Sequence, residues 1–415
     1  MMCIELFAGP GGMSEGIRRA LPDVTALGLE WDECACQTAV AAGHPRIRGD
    51  VRLLRWVARL FGCHYLHASP PCQGFSIAGS GLGRLDADNL LAAIRGLAFS
   101  HAGPADVEAA MDQLDLLAHD HRSVLTLEPL WWIAECRPEY VTLEQVPGVL
   151  PIWEAYAETL RAWGYSVWTG TLNSEQYGVP QTRRRAVLMA RLGEYNVQPP
   201  VPTHSRYYSR DRVRLDAGVL PWVSMAEALG WNDDDLIGFP RRADDSDVVE
   251  LGGAEYRARD FRSGDQPAQV VTEKTRSWQR HVELINGTGA NAARRSAEDP
   301  APVVHFGARK NKVVWNVNNQ SGNDYDIIGQ ASTPATVVAC RSLVAFRGAT
   351  ANRTNGSTKA RNDGFMVTAQ EAGILQSFPA SYPWQGTKTK QHEQVGNAVP
   401  PRLAQAIVEA LVSWQ

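Results

Sequence analysis

Short apolar runs alternate with amphipathic stretches along the first 190 residues of the chain. Apolar runs of about 4–8 residues are typical of buried strands, and longer amphipathic stretches are typical of helices. The predicted strands cover residues 3–7, 25–29, 64–68, 140–143 and 186–190. The predicted helices cover residues 13–20, 33–42, 51–61, 124–136 and 152–163. Strands that alternate with helices predict an α/β fold with a doubly wound, mostly parallel, Rossmann-like sheet.

The pattern changes after about residue 193, where Pro, Gly, Asp and Arg become frequent and helical periodicity fades. A five-residue pattern then occurs three times, at residues 267–271, 300–304 and 334–338. Each copy combines a proline with β-branched residues, which predicts a turn that enters a strand. Either repeated structural units or three similar hairpins would give this pattern. We therefore predict a second, smaller, irregular β-rich domain over residues 195–365.

Helical periodicity returns near the C-terminus, at residues 368–376 and 403–414. A chain of 415 residues is too long for one ordinary core, so more than one domain is expected. We predict a first domain over residues 1–194 and a C-terminal segment, 366–415, that returns to it.

The composition excludes several classes of protein. With 44% hydrophobic and 21% charged residues, the chain is typical of globular proteins rather than disordered ones. It has no apolar run near the roughly 20 residues needed to span a bilayer, and its start lacks the features of a secretory signal. The seven cysteines show neither pairing nor metal-ligand spacing. We expect a reduced, cytoplasmic protein without a membrane segment or a bound metal.

Charge is distributed unevenly along the chain, whose net charge is −4. Residues 262–320 contain nine Lys or Arg and five Asp or Glu, and residues 331–362 contain five basic residues and no acidic one. The distribution of charge is more informative than its sum for a nucleic-acid-binding protein. The basic second half could contact phosphates, or it could be an ordinary solvated face.

A glycine-rich turn at residues 8–12 links the first predicted strand to the first helix. Glycines permit a tight bend there, and the helix start offers free N–H groups to a ligand. Glu30 ends the next strand, where an acidic side chain can hold a ribose, and Trp31 offers a flat surface to a ring. The same turn occurs in dehydrogenases, so it indicates a nucleotide-like ligand without naming one.

Reactive side chains lie next to the ends of three other predicted strands. Cys72 comes after two prolines at the carboxyl edge of the sheet, so it could be a covalent nucleophile or simply a buried cysteine. Glu144 ends a strand and could donate a proton in a shielded site. Arg183 and Arg185 lie on one side of a further strand and offer fixed donors to a carbonyl or phosphate. Each alone could be an ordinary surface charge.

Eight short blocks occur in a fixed order along the chain, and together they carry a family resemblance. They are residues 5–12, 30–32, 49–51, 70–76, 144–146, 177–185, 368–371 with 375–379, and 394–400. In this order they resemble the DNA (cytosine-5)-methyltransferases. The resemblance spans residues 4 to about 190 and 365 to 413.

The resemblance implies a site for S-adenosyl-L-methionine, which is converted to S-adenosyl-L-homocysteine. In it, Glu30 binds the ribose and Asp50 the adenine amine. The other implied cofactor-binding residues are Phe7, Ala8, Gly9, Gly11, Gly12, Trp31, Val51, Pro70, Asn397, Ala398 and Val399.

The resemblance also implies how the base reacts. Cys72 attacks carbon 6 of a cytosine that is flipped out of the duplex, because a stacked ring shields that atom. Glu144 holds the exocyclic amine and protonates ring nitrogen 3, Arg185 binds the base carbonyl, and Arg183 supports that cluster. The resemblance implies that residues 195–365 form a target-recognition domain. The candidate contacts to double-stranded DNA are Gln73, Ser76, Arg276, Arg309 and Arg341.

The sequence departs from the family in two places. Gln145 follows Glu144 where the family has Asn, so a longer side chain must fix the adjoining loop. In addition, 72 residues separate Cys72 from Glu144, and the extra length lies in a helix-prone insertion at about 83–120. The insertion could enlarge a loop that closes over DNA, or it could be an inert helical pair on the surface.

Rival functions stay open at this point. One is a tRNA cytosine-5 methyltransferase of the same fold, although the large basic segment favours DNA. Another is a catalytically inactive DNA-binding homologue, against which the joint presence of Cys72, Glu144 and Arg185 argues. We expect a monomer, bacterial or phage-encoded, that acts alone or in a restriction-modification system with a cognate endonuclease. The recognition sequence cannot be deduced, because base contacts come from a few side chains on variable loops.

Overall fold

The computed structural model describes most of the chain. The described residues are 1–71, 86–99, 102–238 except 212 and 234, 248–251, 254–272, 275, 278–281, short strands between 284 and 345, and 365–413. The chain divides into two compact units. The first contains Met1–Leu229, Pro267–Lys274 and Ala369–Gln415, and the second contains Gly230–Gln266 and Thr275–Thr368.

A seven-stranded sheet forms the centre of the first unit. Its strands are β1 (Met2–Leu6), β2 (Thr25–Glu30), β3 (Arg46–Arg48), β4 (Tyr65–Ala68), β5 (Tyr140–Gln145), β6 (Tyr165–Asn173) and β7 (Arg184–Leu192). Their order is β3-β2-β1-β4-β5-β7-β6. The first five strands in this order are parallel, whereas β7 runs antiparallel to both β5 and β6. The prediction of an α/β fold with a doubly wound, mostly parallel sheet is confirmed.

Helices connect these strands and cover both faces of the sheet. They are α1 (Gly12–Ala20), α2 (Glu33–Ala41), α3 (Trp56–Phe61), α4 (Ala87–Gly96), α5 (Pro104–Leu117), α6 (Glu128–Cys136), α7 (Leu150–Ala162), α8 (Met225–Leu229), α9 (Ala369–Leu375), α10 (Lys388–Asn397) and α11 (Pro401–Ser413). In the described part of the first unit, the 3₁₀ helices His121–Leu127, Pro147–Val149 and Ser174–Tyr177 lie next to some of these elements, and the second unit contains a further one, Ala258–Asp260. Over the residues described here, none of the helices combines the length and the apolar character required to cross a bilayer.

Several predicted boundaries were wrong for local reasons. Residues 51–55 form turns rather than helix, because Asp50 accepts the Arg52 N–H and begins a turn. Strands β3 and β6 were missed: β3 has only three residues, and most of β6 is half-buried at the sheet edge, so it lacks a buried apolar run. The predicted helix at 124–136 begins as the 3₁₀ helix His121–Leu127 and becomes α-helical at Glu128.

One face of the sheet is covered by the first and the last helix. Ile17 of α1 and Leu403 and Ile407 of α11 are buried in one core. The two helices approach closely because Gly16 has no side chain: a Cβ there would lie 2.4 Å from the Ala404 Cβ. Filling this contact by Gly16→Ala should cost about 1–3 kcal/mol through overpacking. The C-terminal helix therefore packs on the N-terminal one.

The insertion contributes to the core on the opposite face. Leu90 and Ile94 of α4 and Val107 of α5 are fully buried. The Thr159 hydroxyl donates to the Ile94 carbonyl at 2.8 Å, and the Trp163 indole N–H donates to the Leu97 carbonyl at 3.0 Å. The described part of the insertion thus packs one face of its helices into the core, and its interpretation as an inert surface pair stays a prediction. Its other predicted role, closure over DNA, stays a prediction.

The second unit is β-rich. Its strands are β8 (Leu236–Gly238), β9 (Val248–Leu251), β10 (Ala254–Arg257), β11 (Phe261–Ser263), β12 (Gln279–His281), β13 (Leu284–Asn286), β14 (Ala293–Arg295), β15 (Trp315–Asn318), β16 (Asp324–Tyr325), β17 (Val344–Ala345) and β18 (Phe365–Met366). A four-stranded sheet has the order β11-β8-β12-β18. The first copy of the five-residue pattern, 267–271, belongs to the first unit and forms a single bridge, Ala268 with Gln181, instead of a strand. The copies at 300–304 and 334–338 lie outside the described residues.

Candidate active site

The glycine-rich turn after β1 is closed by the carboxylate of Glu30. Gly9 has a positive φ of 55°, so the turn needs a residue that tolerates the left-handed region. The Gly9 N–H donates to Glu30 Oε2 at 2.7 Å, and the N–H groups of Trp31 and Asp32 donate to Oε1 at 2.7 and 2.8 Å. Because β1 and β2 are parallel neighbours, both ends meet at one edge of the sheet. Glu30 is thus held rigidly by backbone donors at that edge.

A cavity of about 630 Å³ opens at this carboxyl edge. It brings together most of the predicted cofactor-binding residues: Phe7, Gly9, Glu30, Trp31, Asp50, Val51, Pro70 and Asn397. It is also lined by the predicted catalytic residues Glu144, Arg183 and Arg185. The edge where the parallel strands end is where ligands bind in folds of this kind.

The wall of the cavity suits an adenosine group. The Trp31 side chain is 71% exposed and lines the cavity, so its ring can stack on a flat base. Three backbone donors leave Glu30 acceptor capacity for a hydroxyl group, since a carboxylate has about four acceptor positions. The Asp50 carboxylate contacts Arg52 at 2.7 Å, and this hydrogen bond lowers its pKa. The two carboxylate acceptors and the Trp31 ring therefore fit a ribose and a ring with an amine.

Five predicted cofactor-binding residues do not line the cavity: Ala8, Gly11, Gly12, Ala398 and Val399. A Cβ on Gly12 would lie 2.1 Å from the Val399 carbonyl oxygen, and one on Gly11 would lie 2.7 Å from the Tyr382 hydroxyl. That hydroxyl donates to the Pro10 carbonyl at 2.6 Å. In this structure these glycines permit close packing behind the turn.

Glu144 and Arg185 form an ion pair at the opposite end of the cavity. The Arg185 Nε lies 2.7 Å from Glu144 Oε1, and both side chains are largely buried. The N–H is not aligned with that oxygen, so Oε1 has no hydrogen-bond donor among the described residues. A buried carboxylate oxygen without a donor, next to a cavity, is a position where a ligand N–H could bind.

A buried polar chain leads away from Glu144 into the sheet. The Ser69 hydroxyl donates to Glu144 Oε2 at 3.4 Å and contacts His67 Nε2 at 3.0 Å. His67 Nδ1 contacts the Thr142 hydroxyl at 2.9 Å, and Tyr65 contacts the same hydroxyl at 3.0 Å. Burial lowers the pKa of His67 to about 3, so its ring is neutral. Because the Ser69 hydroxyl donates its only proton to Glu144, its oxygen must accept from His67 Nε2. We therefore assign the His67 proton to Nε2.

Arg183 is buried and connects the start of β7 to two distant segments of the chain. Its guanidinium donates to the carbonyls of Val271 at 3.1 Å and of Gly396 and Ala398 at 3.0 Å each. The side chain is 1% exposed. Arg183 therefore fixes the segments around the cavity.

Gln145 reaches the backbone that precedes Cys72. Its amide donates to the Pro70 carbonyl at 2.6 Å, and its own side-chain oxygen accepts the Val146 N–H at 2.6 Å. The glutamine side chain thus contacts the backbone just after β4, at Pro70, and the backbone just after β5, at Val146. Pro70 and Pro71 line the cavity.

The lining residues that sequence reasoning missed include Arg122, Leu125, Lys390 and Glu393. Helical spacing could have identified the last two, because they precede Asn397 by seven and four positions on one face of α10. The Lys390 Nζ lies 3.2 Å from an Asp32 carboxylate oxygen. Arg122 and Leu125 belong to the 3₁₀ helix after the insertion, which has no comparable pattern.

Six predicted residues lie outside the part of the chain that the structure describes: Cys72, Gln73, Ser76, Arg276, Arg309 and Arg341. Cys72 follows the described Pro71 directly in the sequence. Their roles stay predictions.

Comparison with known proteins identifies the family. A sequence model of the family "C-5 cytosine-specific DNA methylase" matches residues 1–97 and 98–413. Type II methyltransferase M1.HphI of Haemophilus parahaemolyticus is 24% identical, over 99% of this chain and 86% of that protein. Type II methyltransferase M.DdeI of Desulfomicrobium norvegicum is 24% identical, over 100% of this chain and 89% of that protein.

Solved structures agree on the fold. The crystal structure of S. pombe Dnmt2 methyltransferase matches with a TM-score of 0.52 and 16% identity, over 100% of this chain and 98% of that one. At this identity the likeness shows the fold alone. The family match covers nearly the whole sequence. The chain therefore belongs to the C-5 cytosine-specific DNA methylase family.

Proposed function

We propose that this enzyme transfers a methyl group from S-adenosyl-L-methionine to carbon 5 of a flipped cytosine in a specific duplex DNA sequence. The proposal rests on one observation: a single cavity is lined both by residues suited to the cofactor and by residues suited to the base. Glu30 and Trp31 line one part, and the Glu144–Arg185 ion pair lines another. A methyl donor and a base would thus meet within a single cavity, as a direct transfer requires.

The cofactor would be held by the part of the cavity near the glycine-rich turn. Glu30 would accept a ribose hydroxyl and the Trp31 ring would stack on the adenine. Asp50 would accept the adenine amine, in competition with Arg52. When bound, S-adenosyl-L-methionine supplies an electrophilic methyl group.

The base would be activated by Glu144 and Arg185. Glu144 in its protonated form would donate to ring nitrogen 3, and its second oxygen would accept from the exocyclic amine. Arg185 would donate to the base carbonyl. Both contacts withdraw electrons from the ring, so carbon 6 becomes a better electrophile.

Cys72 would be the nucleophile. Its thiolate would form a bond to carbon 6, and the electron pair displaced toward carbon 5 would take the methyl group from the sulfonium sulfur, with S-adenosyl-L-homocysteine as the leaving group. Loss of the proton on carbon 5 to a base then restores the double bond and expels the thiolate. The support for this role is the family motif at residues 70–76, together with the position of Pro70 and Pro71 in the cavity wall.

DNA recognition is proposed for residues 195–365, which contain the β-rich second unit. Two of the most similar relatives carry the name type II methyltransferase, which supports a role beside a cognate restriction endonuclease. Such a partner would act on the same sequence and need not bind this chain.

A methyl-transfer assay with labelled S-adenosyl-L-methionine tests the proposal. We expect label in duplex DNA and none in tRNA, and label only in tRNA would overturn the choice of substrate. Cys72→Ser should abolish transfer while DNA binding persists, because only the nucleophile is changed. Full activity of that variant would contradict the covalent mechanism. Bisulfite sequencing of DNA from cells that express the enzyme would give the recognition sequence.

A further inference from the structure

A closed loop projects from the first unit at residues 203–220. The Ser205 N–H donates to the Leu220 carbonyl at 2.7 Å, and the Leu220 N–H donates to the Thr203 carbonyl at 3.0 Å. The two ends of the loop are therefore paired to each other. This is the arrangement of a compact surface loop, a class of segment that often carries function.

The loop is ordered by its own side chains. Asp216 accepts the Arg206 N–H at 2.9 Å and the Tyr208 hydroxyl at 2.8 Å, and its own N–H donates to the Ser205 hydroxyl at 2.9 Å. The ring of Tyr207 packs edge-on against Trp222, with centroids 5.3 Å apart. These contacts fix the backbone before any partner binds, which reduces the entropic cost of binding.

Three arginines are exposed among the described residues of this loop: Arg206, Arg210 and Arg214. Arg212 lies outside the described residues. The guanidinium carbons of Arg206 and Arg214 lie 5.7 and 4.0 Å from the centre of the Tyr208 ring. None of the three forms an ion pair with a residue that the structure describes. The Asp216 carboxylate attracts Arg214 electrostatically, but neither guanidinium group beside the tyrosine ring forms an ion pair with a described residue. Both groups can therefore bind phosphate oxygens.

The loop is attached at the same edge of the sheet as the candidate active site. In the β6–β7 register, Asn173 lies opposite Arg184, one residue before Arg185. The 3₁₀ helix Ser174–Tyr177 follows directly, and its Gln176 carbonyl accepts the N–H groups of Thr203 and His204 at 3.0 Å each. A duplex that delivers a cytosine to Glu144 must approach this edge.

We propose that the loop at 203–220 binds the phosphate backbone of the substrate DNA beside the target cytosine, through Arg206, Arg210 and Arg214. The proposal rests on the proposed function, since it takes DNA as the substrate. Phosphate contacts are independent of base sequence, so the loop adds affinity and orientation rather than specificity. The neutralised phosphates release counterions, which makes the contribution depend on salt.

The test compares two triple variants of equal charge. The first is Arg206→Gln, Arg210→Gln, Arg214→Gln. The control is Arg59→Gln, Arg95→Gln, Arg161→Gln, whose arginines are exposed on helices away from the cavity. Both variants lower the net charge by three, so any difference in their DNA affinity must come from where the lost charges lie and not from their number. A third variant, with the loop arginines changed to Lys, keeps the charge and tests folding of the loop.

Affinity for a duplex that contains the target sequence is measured as a function of NaCl concentration. Three lost phosphate contacts should reduce the slope of log K against log salt by about 2.7, since each contributes roughly 0.9. We expect the loop variant to bind at least about tenfold more weakly at low salt, with the single-turnover rate at saturating DNA unchanged. The control should match the wild type, and the Lys variant should keep most of the slope.

The failures of the two proposals can be told apart. Equal salt slopes in the loop and control variants, with a wild type that methylates duplex DNA, would overturn the loop proposal alone. A wild type that neither binds nor labels duplex DNA would overturn both. A slope lost in the Lys variant as well would show that the loop acts through its fold rather than its charge, and would also overturn the proposal.

Discussion

The two ends of the candidate active site are built in different ways. At the cofactor end, Glu30 is held by the N–H groups of Gly9, Trp31 and Asp32, which lie 21, 1 and 2 residues from it in the sequence. At the base end, Arg183 is held by carbonyls that lie 88, 213 and 215 residues away. The first end depends on local backbone geometry, and the second depends on the packing of distant segments.

This difference predicts different consequences of substitution. A change at the cofactor end should alter binding of one ligand and leave the fold intact. A change at the base end should affect either the chemistry or the stability of the whole first unit, because several buried polar groups share partners there. The following predictions test that distinction, from the largest expected effect to the smallest.

Glu144→Gln should have the largest effect on rate. The amide keeps the size of the side chain but cannot supply a proton to ring nitrogen 3, and general acid catalysis contributes about 10²–10⁴-fold. We expect a single-turnover rate lower by that factor, with unchanged affinity for S-adenosyl-L-methionine measured by calorimetry. A variant that keeps the wild-type rate would show that Glu144 is not the acid.

Arg183→Met should destabilise the first unit. It removes three buried hydrogen bonds, to the carbonyls of Val271, Gly396 and Ala398, and an unsatisfied buried carbonyl costs about 1–3 kcal/mol before relaxation. We expect a loss of about 3 kcal/mol or more, measured as a lower midpoint in thermal unfolding. Arg184→Met on the same strand is the matched control, because Arg184 is exposed and should change stability by less than about 0.5 kcal/mol. Equal losses in the two variants would contradict the role given to Arg183.

The buried His67 should make stability depend on pH. Burial lowers its pKa to about 3 in the folded chain, from an ordinary value of 6.5. Between these values the unfolded chain binds the extra proton, so stability is present above about pH 6.5 and is lost as pH falls toward 3. From pH 6 to pH 4.5 we expect a loss of about 2 kcal/mol from this group. His67→Gln should flatten the curve in that window, whatever its effect at neutral pH, and an unchanged slope would refute the assignment.

The same contrast separates what the sequence could predict from what it could not. The glycine-rich turn, Glu30 and Trp31 were predicted as one cofactor-binding group, because their partners are close in sequence and their residue types are diagnostic. Arg122 was missed, because its place in the cavity depends on how the insertion packs. The polar chain through Ser69, His67 and Thr142 was missed as well, since His67 and Thr142 lie in strands predicted as apolar and Ser69 directly follows one of them.

The insertion illustrates the same limit. Its composition predicted helices correctly, and helices α4 and α5 lie within the predicted range of 83–120. Whether their apolar faces were buried could not be deduced, because amphipathic helices can pack on the core or project from it. The contacts of Ile94 with Thr159 and of Leu97 with Trp163 decide that question, and they join residues more than 60 positions apart.

Glu30→Gln should affect cofactor binding more than chemistry. The amide keeps one acceptor but presents N–H groups to the Trp31 and Asp32 donors or to the Gly9 donor, so part of the local network is lost. Hydrogen bonds to charged groups contribute about 1.5–3 kcal/mol, which corresponds to a Kd for S-adenosyl-L-methionine that is roughly 10–100-fold higher. At saturating cofactor the single-turnover rate should stay near that of the wild type. If Glu30→Gln instead lowered both the single-turnover rate and the thermal stability, as expected for Arg183→Met, the cofactor end would not depend on local backbone geometry alone.

Ser69→Ala should have the smallest effect, and it tests whether the base end is positioned as well as packed. The Ser69 hydroxyl contacts both Glu144 and His67, so its removal frees one carboxylate oxygen and leaves the His67 donor unpaired. The contact with Glu144 is long, at 3.4 Å, which limits its strength. We expect a single-turnover rate lower by about three- to tenfold, with Kd values for DNA and cofactor unchanged. Ser69→Thr keeps the hydroxyl, and Ser69 lines the cavity, where the added methyl group has space. Recovery of the rate in the Thr variant would identify Ser69 as a positioning residue for Glu144, whereas equal rates in the Ala and Thr variants would show that Glu144 is held by Arg185 alone.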